Sequence, residues 1–300
     1  MRRRNFHNII ILSGLLGFLW SCQVNYPLLQ PWRNSVTDRS FSWREGQDSI
    51  KLNVLGDDLR PVFFKNNDTL KNKYNIKSVY FDTSSGRKIN GWLLSPKESQ
   101  AHIAVFALHG NSGNLISQFR NFAPLTEYGY SVFLFDYAGF GYSEGEATRK
   151  NAQEDSFAAF DYFSKMKEFV GVKKIIYGQS MGGNFAIPVA EKYQSQIEGL
   201  VLEGTMLNAD DIAAHYLPVA GKILVKNNVN NQELLKKFHK PVLVIHSSDD
   251  RVVPFKLGKK LFEKVNAPKL FLTIKKSHLL GPQLFSKEIT DQINTLFLAQ

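Results

Sequence analysis

From about residue 76 the chain alternates short apolar runs with longer amphipathic segments. The last six apolar runs are hydrophobic at nearly every position, as in parallel strands that are buried on both faces. Strand and helix in alternation predict right-handed crossovers and a doubly wound, mostly parallel eight-stranded α/β sheet. Strands are predicted at 78–83, 89–94, 102–109, 131–137, 173–178, 198–203, 241–246 and 269–274, and helices at about 114–128, 149–168, 182–194, 231–238, 255–265 and 284–298.

Two connections depart from this alternation. Only SSGRK separates the first two strands, and Gly86 suits a turn, so these strands predict an antiparallel hairpin at one edge. Residues 204–240, between the sixth and seventh strands, predict a small lid with helices near 208–217 and 219–226. The apolar lid residues fit an acyl pocket and core packing equally well; they are Met206, Leu207, Ile212, Tyr216, Leu217 and Val219.

The composition is that of an ordinary globular protein. The 300 residues are 43% hydrophobic and 21% charged, and this length fits one α/β domain of about 250 residues or two small domains. The formal charge is +10, but three positive charges belong to Arg2, Arg3 and Arg4 and the other basic residues are scattered. This distribution favours solvated surface lysines over a nucleic-acid-binding face.

The amino terminus has the layout of an export signal. Residues 1–8 are positively charged, and Ile9–Trp20 is an apolar run too short to span a bilayer. The run ends in Leu19-Trp20-Ser21-Cys22, and Cys22 is the only cysteine, so it has no partner for an internal disulfide. This segment resembles a bacterial lipoprotein signal, although Trp20 stands where a small residue is usual. The resemblance implies cleavage after residue 21, lipidation of Cys22 and anchoring to the inner or outer membrane of the cell envelope.

Residues 22–50 contain prolines and polar residues without a sustained period. They are interpreted as a tether between the lipid anchor and a catalytic domain that spans residues 51–300.

The chemistry centres on Gly178-Gln179-Ser180-Met181-Gly182, which closes one predicted strand and opens the next helix. In a sharp strand-to-helix turn, glycines on either side of the serine relieve steric clashes and lift its hydroxyl out of the sheet. The alternative is a plain glycine-rich turn between a strand and a helix, and partners for the hydroxyl elsewhere in the chain would argue against it.

Such partners occur in the expected order, because the acid and the base should follow later strands. Asp250 lies after the seventh strand and His278 after the eighth. The neighbouring Asp249 and the strand-end residue Glu203 are rival acids. Backbone donors for an oxyanion are expected from Met181 and from Asn111 in the glycine-rich loop 109–114, where His109 is interpreted as a structural residue.

Together these residues resemble the α/β-hydrolase superfamily over about residues 76–300. The motifs are HGNSGN at 109–114, DYAGFGYSEG at 136–145, GQSMGG at 178–183, SSDDRVVP at 247–254 and SH at 277–278. They are similar to a small-lidded branch that includes lysophospholipase-like enzymes, depalmitoylating enzymes, monoglyceride lipases and serine aminopeptidases. Ala138 and Ser247 depart from that branch at positions without a chemical role.

The resemblance implies a lipid-anchored serine hydrolase that cleaves a small-molecule ester or thioester through an acyl-enzyme. A serine peptidase with the same triad is one alternative, although the lid offers only Asp210 and Asp211 to recognise a free amine. A catalytically silent lipoprotein that serves as a binding module is another. No cofactor, metal, nucleic acid or protein partner is predicted. The glycines of 139–145 have the wrong spacing for a dinucleotide loop, and the sequence contains no P-loop and no HExxH motif.

Overall fold

The computed structural model describes residues 28–97, 101–221, 225, 227 and 229–298. Cys22 and the predicted signal peptide therefore lie outside the described residues. The strands are β1 Gln30–Pro31, β2 Ser40–Glu45, β3 Asp48–Leu55, β4 Arg60–Lys65, β5 Asp68–Thr69, β6 Tyr74–Asp82, β7 Lys88–Pro96, β8 Ile103–Leu108, β9 Ser112–Gly113, β10 Tyr130–Phe135, β11 Lys173–Gln179, β12 Gly199–Glu203, β13 Val242–Ser247 and β14 Lys269–Ile274.

The helices follow the strands as crossovers or lie at their ends. The α-helices are α1 Leu115–Gln118, α2 Arg149–Ser164, α3 Met181–Lys192, α4 Ala209–Tyr216, α5 Asn231–Lys237, α6 Phe255–Glu263 and α7 Gly281–Ile293. Turns of 3₁₀-helix cover Phe119–Asn121, Ala123–Tyr128, Lys167–Phe169 and Gln194–Gln196, and a π-helical turn covers Asn294–Leu298. Among the described residues, no helix has both the length and the hydrophobicity needed to cross a bilayer.

The predicted main sheet is confirmed. Its eight strands lie in the order β14-β13-β12-β11-β8-β10-β7-β6. The six strands from β14 to β10 pair in parallel, whereas β6 and β7 form the predicted antiparallel edge hairpin. The carboxyl ends of the parallel strands consequently meet along one edge of the sheet, where ligands bind in such folds.

Helices cover both faces of the sheet, which explains the uninterrupted apolar strands. Along β8, Phe106 contributes to the core that contains Phe160 of α2 and Ala186 of α3. Its neighbour Val105 points the other way, into the core that contains Ile289 of α7. Because alternate side chains of a strand face opposite sides, each side needs its own apolar set.

The tether predicted over residues 22–50 is wrong for its described part, residues 28–50. Strands β2 to β5 form a four-stranded antiparallel sheet that begins at Ser40. Leu52, Val54 and Phe63 enter the same core as α7, and the guanidinium of Arg120 lies 4.0 Å from the ring centroid of Trp43. Apolar residues at alternate positions of β3 bury one face of this sheet, so the segment is part of the globular fold.

Three predicted helices have different bounds. The helix expected at 114–128 is only α1 followed by 3₁₀ turns, because Pro124 lacks an N–H donor and disfavours a continuing α-helix. The helix expected at 149–168 ends at Ser164. The helix expected from 284 starts at Gly281, since Pro282 suits the first turn of a helix.

Candidate active site

Ser180 occupies a strained turn between β11 and α3. Its backbone has φ +52° and ψ −120°, a conformation that non-glycine residues rarely adopt. Two hydrogen bonds hold the turn: Ser180 N–H donates to the Glu203 carbonyl at 2.9 Å, and Gly183 N–H donates to the Ser180 carbonyl at 3.0 Å. The serine is 5% exposed, at the edge where β11 and β12 end.

The flanking glycines are needed because the backbone on either side has no room for a side chain. A Cβ on Gly178 would lie 2.5 Å from the Cα of Gly183. A Cβ on Gly182 would meet the carbonyl oxygens of Leu108 and His109. The tight packing of α3 against the end of β8 therefore depends on these two positions.

Asp250 and His278, far apart in sequence, are hydrogen-bonded. The Nδ1–H of His278 donates to Oδ2 of Asp250 at 2.6 Å. The other carboxylate oxygen, Oδ1, accepts from the N–H groups of Val252 at 2.9 Å and Val253 at 2.8 Å. Burial alone would raise the pKa of Asp250, but the hydrogen bond and charge of His278 and the two backbone donors outweigh it and lower this pKa.

The imidazole of His278 lies beside the serine turn. A Cβ on Gly204 would come within 2.9 Å of His278 Cε1, and Gly204 directly follows the residue whose carbonyl binds Ser180 N–H. Among the hydrogen bonds of the described residues, none joins Ser180 Oγ to His278. In free enzymes this contact is often long and tightens when substrate binds.

The two rival acids occupy different environments. Asp249 is exposed, and its Oδ1 accepts from the hydroxyl of Ser248 at 3.2 Å. Glu203 is 1% exposed, and its carboxylate accepts from Tyr177 Oη, Gln179 Nε2 and Gly281 N–H at 2.7–2.8 Å. Burial raises the pKa of Glu203, although the three hydrogen-bond donors act to lower it. Only Asp250 faces the imidazole Nδ1, so the geometry favours it as the acid.

A cavity lies beside Ser180. Asn111 and Met181 both line it, and neither backbone N–H donates a hydrogen bond to another described residue. Unpaired N–H groups next to the serine are suited to hold a negatively charged oxygen. His109 has no such access: it is fully buried, its Nδ1–H donates to the Gly110 carbonyl at 2.9 Å, and burial lowers its pKa to about 4.

We call this space the lid cavity; it has a volume of about 330 Å³. Its described lining is mainly apolar and comprises Leu28, Gln30, Asn111, Ser180, Met181, Met206, Ile212, Ala213, Tyr216, Leu217, Gly221, Val225, Val252 and Val253. Four of the six lid residues named from the sequence are among them. Of the other two, Leu207 packs in the core and Val219 is 74% exposed.

No acidic side chain belongs to the described lining of the lid cavity. Asp211 forms an ion pair with Lys260 at 2.5 Å, and the N–H of Asp210 donates to Asn227 Oδ1 at 3.2 Å. Leu28 and Gln30 were not expected at the site, because they lie in the predicted tether. The apolar pair Leu28-Leu29 is a sequence signal that this part of the chain packs against the domain.

Comparisons with known proteins agree with this architecture. Residues 99–238 match the family model described as serine aminopeptidase, S33. The chain is 27% identical over 206 residues to the uncharacterized protein YfhR of Salmonella typhimurium, covering 64% of this chain and 70% of that protein. It is 29% identical over 223 residues to the lysophosphatidylserine lipase ABHD12 of Danio rerio, covering 62% and 58%.

A solved structure with a similar fold is the esterase Pf2001 of Pyrococcus furiosus. It superimposes with a TM-score of 0.62 at 18% identity and covers 90% of this chain and 97% of that one. The sheet order, the serine turn and these matches define the class of protein. The chain has the α/β-hydrolase fold and is similar to the serine aminopeptidase, S33 family over residues 99–238.

Proposed function

We propose that the protein is a serine hydrolase that cleaves carboxylic esters or thioesters of apolar acyl groups. The observation that carries this proposal is the lid cavity, an apolar space without acidic lining among its described residues, which opens directly on Ser180. Its volume is near the lower end of the range of about 300–1,000 Å³ typical of ligand pockets. An acyl chain would gain free energy there from burial, at roughly 0.8 kcal/mol for each CH₂ group.

The mechanism follows from the positions of the polar groups. Ser180 Oγ attacks the acyl carbon and gives its proton to His278 Nε2, and the C=O bond becomes a C–O⁻ held by the N–H groups of Asn111 and Met181. Asp250 accepts a hydrogen bond from the Nδ1–H of His278 and stabilises the imidazolium. Collapse of the intermediate expels the alcohol or thiol with the proton from His278, and a water molecule then releases the acid by the same steps.

The matched family model is named for serine aminopeptidases, so a peptidase is the second candidate. An aminopeptidase needs a negative charge to bind the free amine of its substrate. The acids of the lid do not line the cavity, and this favours the ester.

The test combines a covalent probe with two substrate classes. Wild type should be labelled by a fluorophosphonate and hydrolyse p-nitrophenyl acyl esters faster than aminoacyl p-nitroanilides. Ser180→Ala should fold and lose labelling, since alanine keeps the Cβ at the strained turn. Ser143→Ala is the matched control, because Ser143 Oγ is buried and donates to the Asp136 carbonyl.

Labelling that persists in Ser180→Ala would refute the assigned nucleophile. Faster cleavage of the anilides would favour the peptidase, and an unlabelled wild type would favour a silent binding module.

We also propose that the mature protein is anchored in the bacterial envelope through lipidated Cys22. The sequence supports this with the basic segment, the apolar run and the single cysteine. Two or more acyl chains hold a protein stably at a membrane, whereas one does so only marginally. Wild type should stay with membranes through a high-salt wash, and Cys22→Ser should be released. An unmodified Cys22 in mass spectra of the mature chain would contradict the proposal.

A further inference from the structure

A segment of the supposed tether is joined to the oxyanion loop. We call residues 28–34 the strap. The N–H of Gln30 donates to the Asn111 carbonyl at 2.7 Å, and the N–H of Trp32 donates to the Gly113 carbonyl at 2.9 Å. These bonds pair β1 in parallel with β9, which directly follows Asn111. The strap thus extends the loop that supplies one of the two oxyanion donors.

The strap is also bonded to the second glycine-rich loop. The N–H of Gly141 donates to the Trp32 carbonyl at 2.8 Å, and the N–H of Asn34 donates to the Gly141 carbonyl at 2.8 Å. Nδ2 of Asn114 donates to the same Trp32 carbonyl at 3.2 Å. Backbone pairing on both sides fixes the position of the strap over the site.

Side chains of the strap complete the lid cavity. Leu29 is 3% exposed and belongs to the main core, so it anchors the strap. Leu28 is half-buried and packs against the cluster that contains Met206, Ile212 and Val253. Leu28 and Gln30 line the cavity together with residues of the lid.

We propose that the strap is the specificity-determining wall of the acyl pocket, with Leu28 and Gln30 limiting the length of the acyl group that fits. The inference rests on the proposed function. Its physical reason is that the strap and the lid line the same cavity, and backbone hydrogen bonds to two loops hold the strap in place. A longer acyl chain would therefore clash with the side chains of Leu28 and Gln30, and the size of these side chains determines which acyl chains fit.

The experiment measures kcat/KM for acetyl, hexanoyl and decanoyl p-nitrophenyl esters. Leu28→Ala enlarges the cavity, and we expect the decanoyl-to-acetyl ratio to rise. Leu28→Trp fills it, and the ratio should fall by at least about tenfold, because even one methylene group of misfit in an apolar pocket costs about tenfold or more. Leu55→Ala is the matched control, a 42% exposed leucine in the small antiparallel sheet.

Gln30→Trp provides a second variant, and we expect it to fold because Gln30 is exposed. It should shift the ratio in the same direction as Leu28→Trp. The melting temperature and the rate of fluorophosphonate labelling verify that each variant is folded.

Opposite shifts of the ratio in Leu28→Ala and Leu28→Trp support the proposal, because a merely structural strap would lower kcat/KM for all esters by the same factor. Equal factors for all esters, or a ratio like that of Leu55→Ala, would overturn it. Failure of the proposed function looks different: the wild type itself would then hydrolyse no ester in a Ser180-dependent manner.

Discussion

Replacing Asp250 with asparagine tests the assigned acid most directly, and the structure sets the size of the effect. The carboxylate now accepts three hydrogen bonds, from His278 Nδ1–H on one oxygen and from the N–H groups of Val252 and Val253 on the other. An asparagine that keeps its oxygen on the two backbone donors must turn its NH₂ group toward His278 Nδ1. His278 Nδ1 then accepts a hydrogen bond, so the imidazole proton moves to Nε2. There it prevents Nε2 from taking the proton of Ser180 Oγ.

The productive tautomer requires the amide to flip. The NH₂ group would then face Val252 N–H and Val253 N–H, leaving two donors unsatisfied at about 1–3 kcal/mol each. A total of about 2–6 kcal/mol corresponds to a loss in kcat of between about 30-fold and about 10⁴-fold. KM should change little, because Asp250 does not line the lid cavity.

The assay compares steady-state hydrolysis of a short acyl ester by wild type, Asp250→Asn and Asp249→Asn. Asp249 is exposed, and its replacement should leave kcat within about twofold of wild type, as for a surface residue. The reasoning fails if Asp250→Asn retains more than a tenth of the wild-type kcat, or if the loss appears in Asp249→Asn instead.

Three further predictions concern stability, measured as the free energy of unfolding in urea. Gly182→Ala should lower it by about 1–3 kcal/mol, because the new methyl group overlaps two backbone carbonyl oxygens; an unchanged value would contradict the packing. Glu203→Ala should lower it by about 3–5 kcal/mol, since three buried donors lose their acceptor, and a loss below about 1 kcal/mol would refute this. The pKa of His109 is about 4 in the folded protein against 6.5 when exposed, so protonation favours the unfolded chain. The free energy of unfolding should therefore be highest above pH 6.5 and fall by about 3 kcal/mol as the pH drops to about 4. His109→Gln should flatten this pH dependence, whereas replacing the exposed His239 with glutamine should leave it unchanged.

Much of the site could be predicted from the sequence because its parts are local. The turn at Ser180 needs glycines within two positions on either side and must be flanked by a strand and a helix. One short stretch of sequence is therefore enough to predict it. The order of Ser180, Asp250 and His278 along the chain is equally visible, since each residue follows a strongly apolar strand. Parallel strands place their carboxyl ends on one edge, and this rule brings the three loops together.

The sequence by itself therefore determined the doubly wound sheet and the edge hairpin, and it predicted Ser180, Asp250 and His278 as candidate site residues. Only the tertiary structure decided that residues 28–50 belong to the globular fold and that Leu28 and Gln30 line the lid cavity. It also distinguished Asp250 from Asp249, because the side chain of Asp250 accepts a hydrogen bond from His278 whereas that of Asp249 is exposed. The physical reason is the separation along the chain of the residues that interact. Hydrophobic alternation and turn chemistry involve near neighbours in sequence, so they can be read from a short stretch. The wall of the cavity depends instead on pairing between segments some 80 residues apart, such as β1 with β9.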